Sequence, residues 1–335
     1  MNEKDSGRAD SAEDSSSDDI KHRKVSVASF TPMRWANDGG EYSVWISVHR
    51  TFRTNLVSSA SVPIQVDLGD VVAVILNATV EFVRVTLDVE VVDDQLVLTT
   101  GSAHDRAREG VYLVMLTPLS LGEGREVAAR QKIDAAVGLF LAVNGRNVAY
   151  DRVFEGIQTI PSGDLTVASP SIENPLALPV PDLSDDGVRV IRSLGESINQ
   201  LPDSDRNRVD LSLRWFESAT FVSGIDSYLR YWIALETLSM PSGTNIRPIN
   251  ESLGRAYGID TNSAARRFHV GRLFDLRGAI VHGGQRLPIH GETLNYISAI
   301  YVDVLFVTLG LNSTLRAQRC LDEGRFDPSR LPRRR

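Results

Sequence analysis

The spacing of apolar residues changes once along the chain, near residue 120, and no other feature limits the fold as strongly. Before that point it is two-fold. Val83, Val85, Leu87, Val89 and Val91 alternate with Arg84, Thr86, Asp88 and Glu90, which is a strand with one face turned to a core. "DDQ" then turns the chain into "LVLTT", so a hairpin follows. Further strands are expected at Glu41–His49 and Val111–Leu119, where β-branched and aromatic residues gather. After "GEGRE" the period becomes helical. Ile133, Ala136, Val137, Phe140 and Leu141 share one face, and "NGRN" stops the helix.

Beyond a stretch holding five prolines between Pro161 and Pro181, every apolar pattern is helical. Val188, Ile191, Leu194 and Ile198 form one stripe, with Ser184 placed to cap it. Val209, Leu213 and Phe216 form a second, and Ile225–Leu238 is apolar nearly all round, as suits a central buried helix. Shorter and longer helices follow near Pro248–Tyr257, Ser263–His282 and from Gly291 onward. The expected fold is therefore α+β: a mainly β amino-terminal domain, then an all-α up-down bundle. The expected boundaries are a disordered acidic, Ser-rich tail over 1–38 and a β-rich domain over 40–165. A Pro-rich linker over 166–183, a helical domain over 184–320 and a basic tail over 321–335 complete the chain.

A chain of 335 residues with net charge −7 does not coat nucleic acid indiscriminately. Cys320 is the only cysteine, which excludes an intrachain disulfide and a cysteine-rich metal site. His49 and His104 have no partner at metal-ligand spacing and read as surface residues, so neither a metal nor another cofactor is expected. The opening residues lack the apolar core of a signal peptide. The longest apolar run, Ala299–Leu311, contains Asp303 and is too short to span a bilayer. A cytoplasmic protein without a membrane partner is expected.

Chemistry concentrates in "LFDLRGAIVHGGQR", residues 273–286. Between Asn245 and His290 there are seven arginines against three acids, a basic island in an acidic chain. Arg266, Arg267, Arg272 and Arg286 are candidate contacts for an anionic polymer. Arg277 and His282 lie five positions apart, about 140° around a continuous helix. Gly283 is a natural helix stop, so His282 is expected to swing towards the arginine. An imidazole, with an unperturbed pKa of about 6.5, suits proton transfer, and a guanidinium suits charge on phosphoryl oxygens. Glu236, on the apolar stripe of Ile225, Leu229 and Trp232, is the expected partner of Arg277, as a structural tie or as an orienting group. His269 and His290 flank the motif.

These residues carry a resemblance. "RYWIALETL" (Arg230–Leu238), followed some forty residues later by "LFDLRGAIVHGG", resembles the Apea-like branch of the HEPN superfamily over roughly residues 185–310. Arg277 and His282 supply its R-x4-H motif. Asp275, Leu276, Ile280, Val281 and Gly283 match the surrounding pattern, whereas Phe274 replaces a tyrosine and Gly278 stands where many members have a polar residue. The resemblance implies a HEPN-like helical bundle forming a homodimer, with two Arg–His pairs lining one cleft. It also implies a metal-independent endoribonuclease acting on RNA. Arg277 and His282 would be catalytic, with Glu236 and Asp275 supporting. Antiviral defence or toxin activity, under a regulatory protein or antitoxin, is the context it implies. The alternative is a catalytically inactive HEPN module for dimerisation or RNA binding, attached to a β-rich sensor domain.

Overall fold

The computed structural model describes residues 23–26, 30–36, 42–51, 64–92, 95–106, 110–120, 124–145, 151–160, 164–168, 185–240, 245–282 and 287–331. Strands come first: β1 (Arg23–Ser26), β2 (Tyr42–Arg50), β3 (Ile64–Asp67), β4 (Val72–Val92), β5 (Gln95–Arg106) and β6 (Gly110–Pro118). Helix α1 (Arg125–Asn144) follows, then β7 (Asp151–Ile160) and β8 (Asp164–Ala168). The rest is helical: α2 (Asp185–Asn199), α3 (Asp203–Thr220), α4 (Gly224–Ser239), α5 (Arg247–Tyr257) and α6 (Thr261–Phe268). Then come α7 (Val270–Val281), α8 (Gly291–Thr308) and α9 (Arg316–Asp322). The α+β class is as expected. Among the described residues no helix is long and apolar enough to cross a membrane.

All strand pairings are antiparallel, in the order β1-β8-β4-β6-β2-β7, with β3 and β5 also on β4. Strand β4 is the spine. Its first half, where Val72–Ile75 are all buried, pairs with β3 and β6, and its second half pairs with β5. The alternation at Val83–Val91 thus marks only the later part of a longer strand, because a stretch buried on both faces has no alternation to read. The hairpin is present as Val92↔Gln95 pairing, with its turn outside the described residues. Strands β1, β3, β7 and β8 are additions to the expected set. β1 lies within the stretch expected to be disordered and pairs with β8, which lies in the proline-containing segment. Short edge pairs of this kind draw their order from a partner strand rather than from their own composition.

The two halves share one core. A single cluster of buried side chains runs from Trp45 and Val66 through α1 and the helices to Leu331. Helix α1 crosses α3 so closely that a Cβ at Gly138 would stand 2.3 Å from the Leu213 carbonyl oxygen. Beside this crossing lies a polar seam. Arg152 on β7 donates to Asp134 on α1 at 2.6 Å, and Arg130 donates to Glu155 at 2.8 and 2.9 Å. Trp45 Nε1 donates to Glu155 at 3.1 Å, and Glu217 on α3 lies 3.7 Å from Arg152.

His49, expected on the surface, is buried against this seam at 1% exposure. It sits on the inward face of β2 and shares a hydrogen bond between Nε2 and Ser47 Oγ at 2.9 Å. Burial, reinforced by Arg152, pushes its pKa down to about 3. The side chain of His104 lies outside the described residues.

In the helical half, the expected stripes are buried as read: Val188, Ile191, Leu194 and Ile198 on α2, and Val209, Leu213 and Phe216 on α3. Ser184 lies outside the described residues. Ser212 Oγ donates to Ala234 O and Ser227 Oγ to Ala219 O, both at 2.8 Å. Both pairs sum to the same residue index, so α3 and α4 form an antiparallel hairpin. Asp303, the charge inside the longest apolar run, is fully buried on α8. It accepts from Tyr257 Oη, Ser313 Oγ and Thr314 Oγ1, and from the backbone N–H groups of Arg316 and Ala317 that open α9. Part of the expected basic tail folds back: Phe326 stacks on Tyr296 and Leu331 is buried.

Candidate functional site

The motif stretch differs from the single helix expected over Ser263–His282. It is two helices, α6 and α7, broken at His269, whose backbone is left-handed at φ 54°. Asp260 caps α6 by accepting from the N–H groups of Asn262 and Ser263. The break re-aims the chain, so α7 starts afresh at Val270 and carries Arg277 and His282 at its far end.

Helix α7 is held against α4 along one stripe. Tyr228 Oη donates to Leu273 O at 2.6 Å, and the rings of Trp232 and Phe274 approach to 5.9 Å between centroids. One turn further on, Glu236 Oε1 lies 3.9 Å from Arg277 Nε. Residue numbers rise together on both helices, so α4 and α7 run parallel and end on the same side. That side carries the partial negative charge of both helix ends, which favours a cation. Arg277 therefore sits where its own helix end and Glu236 hold it.

From there Arg277 reaches the surface. Its guanidinium Nη1 lies 3.3 Å from Nε2 of His282, which is exposed. No break before His282 is required for this contact: the residue is still in the right-handed helical region, and its N–H donates to Gly278 O at 2.9 Å. The expected divergence of about 140° is bridged by the length of the arginine side chain, which reaches His282 at the cap of the helix. Gly283 and Gly284 lie outside the described residues. A guanidinium only donates, so the contact is a hydrogen bond in the tautomer whose Nε2 carries no hydrogen.

Arg277, His282 and Glu236 are brought together; the other expected residues are not. Asp275 is two residues from Arg277, about 200° around α7, and half-buried. Arg266 is exposed and donates to Ser263 Oγ, while Arg267 lies over the Phe268 ring. Arg272 donates to Leu331 O at 2.6 Å and so ties down the carboxyl-terminal segment. Arg286 lies outside the described residues. His269 forms the helix break, where burial and Arg272 lower its pKa, and His290 is the exposed residue before α8. Tyr228 was not singled out from sequence. The i, i+4, i+8 stripe Tyr228–Trp232–Glu236 was the available signal. Burial pushes its hydroxyl pKa up, Arg277 opposes that, and the group stays a fixed donor.

No protein-family model, curated protein or solved structure matches the chain.

Proposed function

We propose that the chain is a metal-independent endoribonuclease of HEPN type, with Arg277 and His282 as its catalytic pair and Glu236 as a positioning residue. The observation that supports this best is the 3.3 Å contact between an always-charged guanidinium and an exposed imidazole. An RNA phosphate is a stronger acceptor for Arg277 than an imidazole nitrogen. As phosphate takes the guanidinium, Nε2 of His282 is released to remove the 2′-hydroxyl proton. The 2′-oxygen then attacks the adjacent phosphorus, and Arg277 stabilises the charge on the phosphoryl oxygens. The 5′-oxygen leaves and takes a proton, giving a 2′,3′-cyclic phosphate. Glu236 keeps the guanidinium at the helix ends without neutralising it by a direct hydrogen bond. A homodimer bringing two such pairs to one groove supplies a second imidazole for the leaving group.

The test uses purified protein and single-stranded RNA with EDTA present. Cleavage to 2′,3′-cyclic phosphate ends is expected, with DNA of the same sequence left intact. Arg277→Ala and His282→Ala are each expected to abolish it. Cleavage that persists in both variants refutes the reading. RNA binding without products under any condition supports the inactive-module alternative instead.

A further inference from the structure

A second site lies away from the Arg–His pair, where the sheet meets the helices. The turn Leu68–Val71 between β3 and β4, helix α1, the end of α2 and helix α3 enclose a cleft of about 310 Å³. Its walls are fixed by close backbone approaches. A Cβ at Gly195 would stand 2.7 Å from Leu68 Cδ2, and Gly69, at φ 89°, leaves no room for one beside Asn199. Asn199 Nδ2 donates to Leu68 O at 3.1 Å and locks the turn to α2. Apolar side chains, among them Leu68, Val71, Leu139 and Leu213, form about half of the lining, and charged and amide side chains form the rest.

One charge in this cleft is unmatched. Asp210 on α3 is half-buried and, among the described residues, has no hydrogen bond and no ion pair within 4.0 Å. The neighbouring cations are engaged elsewhere. Lys132 on α1 pairs with Asp70 at 2.9 Å. Arg206, one turn before Asp210, turns away and donates to the Asn199 and Leu201 carbonyls that end α2. Arg214, one turn after, acts only through its field. Burial, with Asp70 in the same sense, pushes the Asp210 carboxyl up to about 6, against the pull of Arg206, Lys132 and Arg214. A half-buried carboxylate without a partner costs stability unless something supplies one.

We infer that this cleft binds a small organic cation, a primary ammonium or amidinium compound whose charged group pairs with Asp210 and whose apolar body lies against Leu68, Leu139 and Leu213. The size is at the lower end for small-molecule sites, and an apolar floor with convergent polar groups at its edge suits a ligand with one charged end. The formal charges of the lining, Asp70, Asp203 and Asp210 against Lys132 and Arg206, also leave one negative charge over. This inference stands apart from the ribonuclease reading.

The full chain, at a pH above 7, is titrated with butylamine and with benzamidine, using benzamide and benzoate as neutral and anionic counterparts. Calorimetry and the thermal unfolding midpoint are the readouts. Saturable binding with a raised midpoint is expected for the cations and not for their counterparts. Asp210→Asn, which keeps size and removes charge, is expected to weaken binding by about tenfold or more. Asn207→Trp, at the exposed rim, obstructs the cleft without touching the core and is expected to do the same; it carries the test if Asp210→Asn does not fold. Neither cation binding, benzamide or benzoate binding as well as benzamidine, or binding that survives both variants overturns the assignment.

Discussion

Replacing Gly138 by alanine tests how tightly α1 is packed on α3. The added Cβ meets Leu213 O at 2.3 Å and its carbonyl carbon at 2.9 Å. Ordinary contact begins near 3.4 Å, so the shortfall is about 1 Å, and both obstructing atoms are helix backbone that cannot rotate aside. Relief requires α1 and α3 to part along their crossing. Forced overpacking costs about 1–3 kcal/mol, with backbone clashes at or above the upper end. Alanine returns about 1 kcal/mol over glycine in a helix. The net expectation is a loss of about 2 kcal/mol. Gly278 is the internal control: it also lies within a helix, yet no atom stands within 4 Å of its would-be Cβ, so Gly278→Ala should gain about 1 kcal/mol. Urea unfolding followed by tryptophan fluorescence and circular dichroism measures both. Equal stabilities for the two variants would refute the reasoning, since the same substitution then feels no crossing helix.

Three further outcomes are expected. Tyr228→Phe removes the buried hydrogen bond to Leu273 O and should cost about 1 kcal/mol in denaturant unfolding, because that carbonyl keeps its own helical partner. Asp303→Ala leaves the donors of Tyr257, Ser313, Thr314, Arg316 and Ala317 without their common acceptor, and should cost about 3 kcal/mol or more in the same assay. His49 sets an acid limb. With its folded pKa pushed down to about 3, the unfolded chain binds the extra proton below about 6.5, so stability falls as pH drops from about 6.5 towards 3. The difference between parent and His49→Asn, measured across that range, should shrink by on the order of 4 kcal/mol as the parent loses its advantage; a flat difference would contradict the burial of this imidazole.

Periodicity made the helices legible because each buries a single stripe, and the stripe is written directly in the spacing. The sheet was legible where apolar and polar residues alternate, over Val83–Val91, or where β-branched and aromatic residues gather, at β2 and β6. At Val72–Ile75, and in β7, whose Arg152 and Glu155 serve the seam, the side chains are placed by partners distant in sequence, so local spacing carries no sign of them. His49 shows the same limit. Ser47 shares its strand face two positions away, but nothing near it in sequence announces Arg152, which arrives through the β2–β7 pairing. The shared core could not be read either. Gly138 is one glycine among many until the Leu213 carbonyl stands against it.

The site was legible for a different reason: its parts lie close in sequence or on one helical stripe. Arg277 and His282 are five residues apart, and Glu236 ends the stripe that Tyr228 and Trp232 begin. The place of His282 was legible too, since α7 ends at Val281 and His282 caps it. Helix geometry turns positions five apart away from each other, which suggested that a glycine break must bring them together. His282 makes the contact from the very end of α7, its own backbone still helical, because Arg277 is long, sits near the helix end and is held at its base by Glu236 at 3.9 Å. A shorter cation would fail at this position. Lysine keeps the charge but has no second nitrogen with which to face Glu236 while touching His282, so the pairing depends on the fork of the guanidinium rather than on charge alone.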